Sequence, residues 1–380
     1  MNLEDVFIPV NVRDELNIEN ISNDSWINAV EIYDRTFPSL SGKKIALIGL
    51  IGNKSDYDCH EVRNQLYALM KKEYAMMVAD LGNFYLDLND PKIFEKLGYI
   101  LSEIQSMGII PLVIGSNSPF VYSQYLAFEY LTKYVTYCCI NSKIDLFFNE
   151  DQEAVSDNYL SKILLREPSY LFHLIHLGVQ SFLTDQMAFK MMEKFYFDVM
   201  RLGRIRESFD DIEPFIRNAD FISFSLSSVR QADAMASYDS SAAGFTVEEA
   251  VKIARFAGIS DNLQSFSIYG YRNEIDNNHQ TAKLIAQMIW YFTDGVAHRF
   301  NEVKIGDEIN FVKYIAADVA GSQPITFYKS RKTNRWWMEI PLADPHHAGK
   351  EIVPCSYKDY EMASKGEIPD RYWLAFKKSI

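Results

Sequence analysis

The chain has 380 residues, 48% hydrophobic and 14% aromatic, and a net charge of −13. That supply of apolar side chains fills the core of one large α/β domain or two medium ones and excludes an intrinsically disordered protein. The acidic balance excludes nucleic-acid backbones as partners, because phosphates call for a basic surface.

Residues 1–40 are polar and rich in Asn, Asp and Glu, and read as an N-terminal extension with room for helical stretches. Ile45 to Ile51 is a continuous apolar strand of the kind buried on both faces of a parallel sheet. A helix over Glu61 to Met77 follows, then a short strand over Met77 to Asn83. Pro91 to Met107 reads as a helix with Pro at its start and Gly108 as its stop. Strands over Ile109 to Ile114 and Val135 to Ile140 flank a helix over Pro119 to Leu131. Tyr170 to Ile175 is a strand, followed by a helix around Asp185 to Lys194 and a strand over Phe221 to Leu226. Thr246 to Ala257 is a helix with Thr246 as N-cap and Glu249 in the capping-box position. A strand over Phe266 to Gly270 and an amphipathic helix over Thr281 to Arg299 complete the pattern. Repeated strand–helix units predict a parallel sheet with helices on both faces and ligands beyond the carboxyl ends of its strands.

Beyond residue 300 the composition changes, with Trp336-Trp337, Pro341, His346-His347, Pro354 and Pro369. Phe311 to Ala316 and Ile325 to Tyr328 read as short strands. The expected division is 1–40 extension, 41–300 α/β domain, and 301–380 a C-terminal extension packed on it. Trp336, Trp337, Tyr372 and Trp373 either pack on the protein's own surface or anchor a partner. Lys329-Ser330-Arg331-Lys332 reads as a solvated loop. Cys138 and Cys139 should point to opposite faces of a strand as reduced thiols. Met1-Asn2-Leu3-Glu4-Asp5 has no apolar signal core, and no apolar run is long enough to span a bilayer, so a cytoplasmic protein is expected.

Three segments at predicted strand ends carry the functional argument. They are Val113-Ile114-Gly115-Ser116-Asn117-Ser118, Ile140-Asn141-Ser142-Lys143-Ile144-Asp145 and Ser223-Phe224-Ser225-Leu226-Ser227-Ser228. In order, spacing and flanks they resemble the metal-binding motifs G-G-D-H, D-A-H-x-D and S-x-D-x-D of the arginase/agmatinase/formimidoylglutamase (ureohydrolase) family. Ala79 to Gly82, Val229 to Ala234, Gly244 to Ala250 and Thr281 to Leu284 also look familial. The resemblance spans about residues 40–300. It implies a three-layer α/β/α fold with a mainly parallel sheet of about eight strands, and trimers or hexamers. In the family two manganese ions hydrolyse guanidino or formimino compounds.

The ligand positions depart from the pattern. Ser118 stands where a His is expected, Asn141 replaces an Asp, Lys143 replaces a His, and Ser225 and Ser227 replace two aspartates; Asp145 alone is kept. Gly270 falls where a substrate-contacting Glu is expected. Neutral hydroxyls and amides bind hard dications feebly, and the ammonium of Lys143 opposes them. The expected cofactor is therefore none, with Lys143 standing in for a metal ion and pairing with Asp145.

Alternative chemistry is sparse. His173 and His176 lie on opposite faces of one strand and read as rings satisfied by backbone. His346-His347 reads as a solvated loop pair. Ser116 or Ser118 with Lys143 would make a Ser–Lys nucleophile pair, against the plainer reading of a polar pocket.

Three functional readings stand. One is a non-catalytic family member acting as a binding or assembly subunit, with an unidentified protein partner docking on the terminal extensions. Another is a hydrolase of linear amidines with an altered metal site centred on Asp145. The third is a sensor of a guanidino or amino-acid ligand held by Asp145 or Asp233.

Overall fold

The computed structural model describes residues 3–10, 22–52, 59–116, 118–146, 159–302, 307–317, 324–341 and 349–378. His346-His347 lies outside them.

The alternation of apolar strands and amphipathic helices builds a three-layer α/β/α sandwich. In chain order its elements are β1 (Phe7–Ile8), β2 (Glu31–Ile32), β3 (Ile45–Gly52), α1 (His60–Ala68), β4 (Val78–Leu86), α2 (Ile93–Ser106), β5 (Ile110–Gly115), α3 (Val121–Tyr130) and β6 (Val135–Ile140). Then come α4 (Tyr159–Leu164), β7 (Leu171–Val179), α5 (Gln186–Lys194), β8 (Asp198–Arg201), α6 (Leu202–Glu207), α7 (Glu213–Arg217), β9 (Phe221–Ser225), α8 (Val247–Gly258), β10 (Ser265–Tyr269) and α9 (Gln280–Ala297). The sheet has ten strands in the order β1-β4-β3-β5-β10-β9-β6-β7-β8, with β2 also on β4. Every pairing from β4 across to β8 is parallel.

Strand alternation divides the core in two. One face carries Leu47, Leu112, Cys138, Ile222 and Phe224 under α1, α6, α7, α8 and α9. The other carries Ile48, Val113, Cys139 and Phe221 under α2, α3, α4 and α5. The adjacent thiols thus enter opposite cores, and all four cysteines are buried thiols outside any disulfide. Burial pushes the Cys139 thiol up to about 11, which leaves it protonated and unreactive at neutral pH.

Local signals explain several boundaries. The capping box forms at α8: the Glu249 N–H donates to Thr246 Oγ1 at 3.2 Å, and the Thr246 N–H to Glu249 Oε2 at 2.7 Å. Gly108, at φ +74°, ends the turn after α2, whereas Pro91 lies ahead of that helix instead of starting it. The helix expected over Glu61 to Met77 ends at Ala68, and Glu73–Met77 forms a separate 3-10 helix. The N-terminal segment is tied in more deeply than its polarity suggests. Trp26 is fully buried and stacks on Tyr67, and β1 and β2 both pair with β4.

The C-terminal segment folds as a second, antiparallel sheet: β11 (Phe311–Ala316), β12 (Ile325–Ser330), β13 (Trp336–Pro341) and β14 (Lys350–Cys355), followed by α10 (Tyr357–Ser364) and α11 (Asp370–Lys378). It has its own small core around Phe327, Met338, Ile340 and Val353. Trp336 and Trp337 are buried and Tyr372 packs on that core, while Trp373 remains about half exposed. Arg217 joins the two units. Its guanidinium lies 4.3 Å from the Trp337 ring centroid, pairs with Glu213 at 2.9 Å, and donates to the carbonyls of Trp336 and Cys355. Among the described residues no helix is long and apolar enough to cross a membrane.

Replacing Arg217 with Met removes this joint while Arg335 still holds Glu213 at 3.3 Å. We expect a loss of about 3 kcal/mol, the lower end for breaking a buried pair, measured by urea unfolding. The C-terminal sheet should become the first part cut in limited proteolysis.

Candidate site at the carboxyl ends of the central strands

The middle of the sheet reads β5-β10-β9-β6, so residues far apart in sequence end side by side. Asn141 follows β6, Ser225 ends β9, Ser227 lies in the short 3-10 helix after it, and Gly270 follows β10. Their side chains close on one another. Ser227 Oγ donates to Asn141 Oδ1 at 2.7 Å, Ser225 Oγ lies 2.8 Å from Ser227 Oγ, and Asn141 Nδ2 donates to Asp145 Oδ2 at 3.1 Å. Asn141, Ser142 and Ser227 are buried.

Lys143 stands at the mouth of this cluster. Its Nζ is 3.7 Å from Asp145 Oδ1 and 2.8 Å from Asp239 Oδ2, and its side chain is 35% exposed. Burial opposes its charge, but the Asp239 and Asp145 carboxylates outweigh that and hold the ammonium above its ordinary value. A Ser–Lys nucleophile pair needs a lysine that gives up its proton, and Lys143 is held the other way. Asp239 is the partner the sequence did not single out. It belongs to the polar turn Ser237-Tyr238-Asp239-Ser240 at φ +54°, and only the folded chain brings it to Lys143.

Gly270 sits at φ +98°, a backbone set for glycine; a Cβ there would lie 4.0 Å from Ser225 Oγ, inside the cluster. Ser118 opens a short 3-10 helix ahead of α3, and no hydrogen bond among the described residues joins it to the others. Asp233 is occupied elsewhere. It pairs with Arg230 at 2.8 Å and accepts from the Val247 N–H at the start of α8.

The histidines differ from their sequence reading. His173 bonds Asp198 at 2.7 Å through Nε2, not backbone. His176 is fully buried, and neither ring nitrogen has a well-formed hydrogen bond among the described residues. Burial lowers it to about 4, which the Lys143 backbone only partly offsets, so the ring is neutral.

Two manganese ions require several carboxylates and imidazoles at this place. The donor set here is one amide, two hydroxyls and one carboxylate, mutually hydrogen-bonded beside an ammonium, and it does not fit a dimetal centre. Among the described residues no three His, Cys, Asp or Glu side chains group as metal ligands.

No protein-family model matches the chain, and no curated protein matches it. Solved structures do. A formiminoglutamase from Trypanosoma cruzi solved with Mn2+ matches at TM-score 0.61 and 15% identity, covering 70% of this chain and 100% of that one. A formimidoylglutamase from Bacillus subtilis matches at TM-score 0.62 and 17% identity, covering 74% and 94%. A hypothetical agmatinase from Burkholderia thailandensis matches at TM-score 0.57 and 14% identity, covering 72% and 90%. The chain has the fold of the arginase superfamily.

Two substitutions separate the buried cluster from its mouth. Ser227→Ala leaves the buried Asn141 carbonyl without its donor and should cost about 1–3 kcal/mol in thermal or urea unfolding. Lys143→Met breaks solvent-screened pairs and should cost no more than about 1 kcal/mol.

Proposed function

We propose that this arginase-fold protein is non-catalytic, works without a metal cofactor, and acts as a binding or assembly subunit. The observation that carries this reading is the closed chain Asp145–Asn141–Ser227–Ser225 beside the Lys143 ammonium. Its groups already hydrogen-bond one another, so a dication entering there would break those bonds and meet the Lys143 ammonium. Without a metal-bound hydroxide the fold holds no nucleophile of the ureohydrolase kind. The cluster of Asn141, Lys143, Asp145, Ser225, Ser227 and Gly270 reads as a former metal and substrate pocket, to which Ser118 belongs by its place in the motif and not by a hydrogen bond. The additional C-terminal sheet supplies surface for a partner, and four buried cysteines outside any disulfide suit a reducing, cytoplasmic setting.

The test is metal content by elemental mass spectrometry after incubation with excess manganese and desalting. We expect less than about a tenth of an equivalent bound, and no urea or formamide released from guanidino or formimino substrates. About one or two equivalents, with metal-dependent hydrolysis, would overturn the reading. A chain carrying Asn141→Asp, Lys143→His, Ser225→Asp and Ser227→Asp together should gain manganese, detected as a rise in Tm on adding the ion.

A further inference from the structure

Away from this site, α11 ends against the edge of the main sheet on three titratable side chains. His173 on β7 is bonded to Asp198 on β8, and Lys378 Nζ of α11 lies 2.9 Å from His173 Nδ1, 2.8 Å from Nε2 and 3.9 Å from Asp198 Oδ2. His173 is only 4% exposed. An ammonium this close is compatible with a neutral ring, which still offers an acceptor. A protonated ring offers none and sets two cations in contact.

The other groups facing the cluster are few. From α11 comes Arg371, 3.6 Å from the Phe215 ring centroid and 3.6 Å from Asp359 at the start of α10. From β14 comes Glu351, and after α7 the neutral Asn218. Lys377 turns away, over the rings of Tyr196 and Trp373. α11 also borders a groove of about 620 Å³ lined in part by β8, the last strand of the sheet.

We propose that His173 is a pH-operated latch: its protonation expels Lys378 and frees the C-terminal turn of α11 from the sheet edge. Burial holds docked His173 below its ordinary value; Asp198 offsets part of this, while Lys378 and Arg371 add to it. Once that turn leaves, the ring returns towards an ordinary value of about 6.5. The docked state binds fewer protons than the released one. Docking is therefore complete above about pH 6.5 and weakens as pH falls from there towards the depressed value. Burial pushes Asp198 up, but His173 and Lys378 outweigh it and keep it ionised through this window. Burial lowers Lys378, which still carries its proton on the acid side. Glu351, raised by burial, is the competing acid-sensitive group.

Hydrogen–deuterium exchange of the full chain, read by mass spectrometry and corrected for intrinsic rates, tests the latch. Between about pH 7.5 and about pH 5, amides of the last turn of α11 should lose protection roughly tenfold while those of α8 keep theirs. Constant protection of that turn, or its loss together with α8, would overturn the proposal. His173→Gln can still donate to Asp198 and accept from Lys378 but cannot titrate, so its profile should be flat. A wild-type profile in that variant would assign the effect to Glu351 and sink the latch. If His173→Gln does not fold, Lys378→Met decides: acid release should weaken as the repulsion is removed, and a profile unchanged from the wild type overturns the proposal.

Discussion

Everything in this molecule depends on a parallel sheet whose central strands are buried on both faces. β5, β6 and β10 are buried along their whole length, and helices cover them from either side. Polar side chains within such strands need buried partners, as Ser265 and Ser267 find in Gln124, and the open carboxyl ends are where further polar groups collect. The same constraint that makes the core gathers Asn141, Ser225, Ser227 and Gly270 in one place. It is indifferent to whether those groups hold a metal. There the hydroxyls and the amide hydrogen-bond one another across separate strand ends.

Much of this was legible in the sequence because it is local. Continuous apolar runs such as Ile45 to Ile51 mark buried parallel strands, and Thr246 with Glu249 marks a helix start. The fold class and the gathering of the strand-end segments follow from such signals together with the motif resemblance. What stayed hidden depends on tertiary partners. β8 is four residues long and mixes Asp, Val, Met and Arg, so it has no period of its own. β13 opens with two adjacent tryptophans that enter different clusters, which conceals a strand behind an aromatic run. Asp239 is joined to Lys143 across 96 positions by a turn whose direction no local rule supplies.

Cations mark the places where separate parts of the chain meet. Arg217 is buried between the main sheet's helices and the C-terminal sheet, stacked on an indole and bonded to two carbonyls. Lys143 bridges two loops at the strand ends in partial contact with water. The difference in burial sets the difference in energy: the first is expensive to remove and the second is not. A count of ion pairs among the described residues, one for Arg217 and two for Lys143, would rank them the other way.

The strand order also dictates a history for the nascent chain. β1 to β5 make one contiguous half of the sheet, and β6 to β8 make another. The two never touch directly, because β9 and β10, made later, are wedged between them. Until those strands emerge from the ribosome, β5 and β6 each present an apolar strand with an open hydrogen-bonding edge. Such edges invite pairing with another chain, and closure must await a long-range insertion, which is slow. A synthesis arrest before residue 221 would therefore leave two sticky half-sheets instead of a smaller folded protein, and it is at that stage that a chaperone has the most to shield.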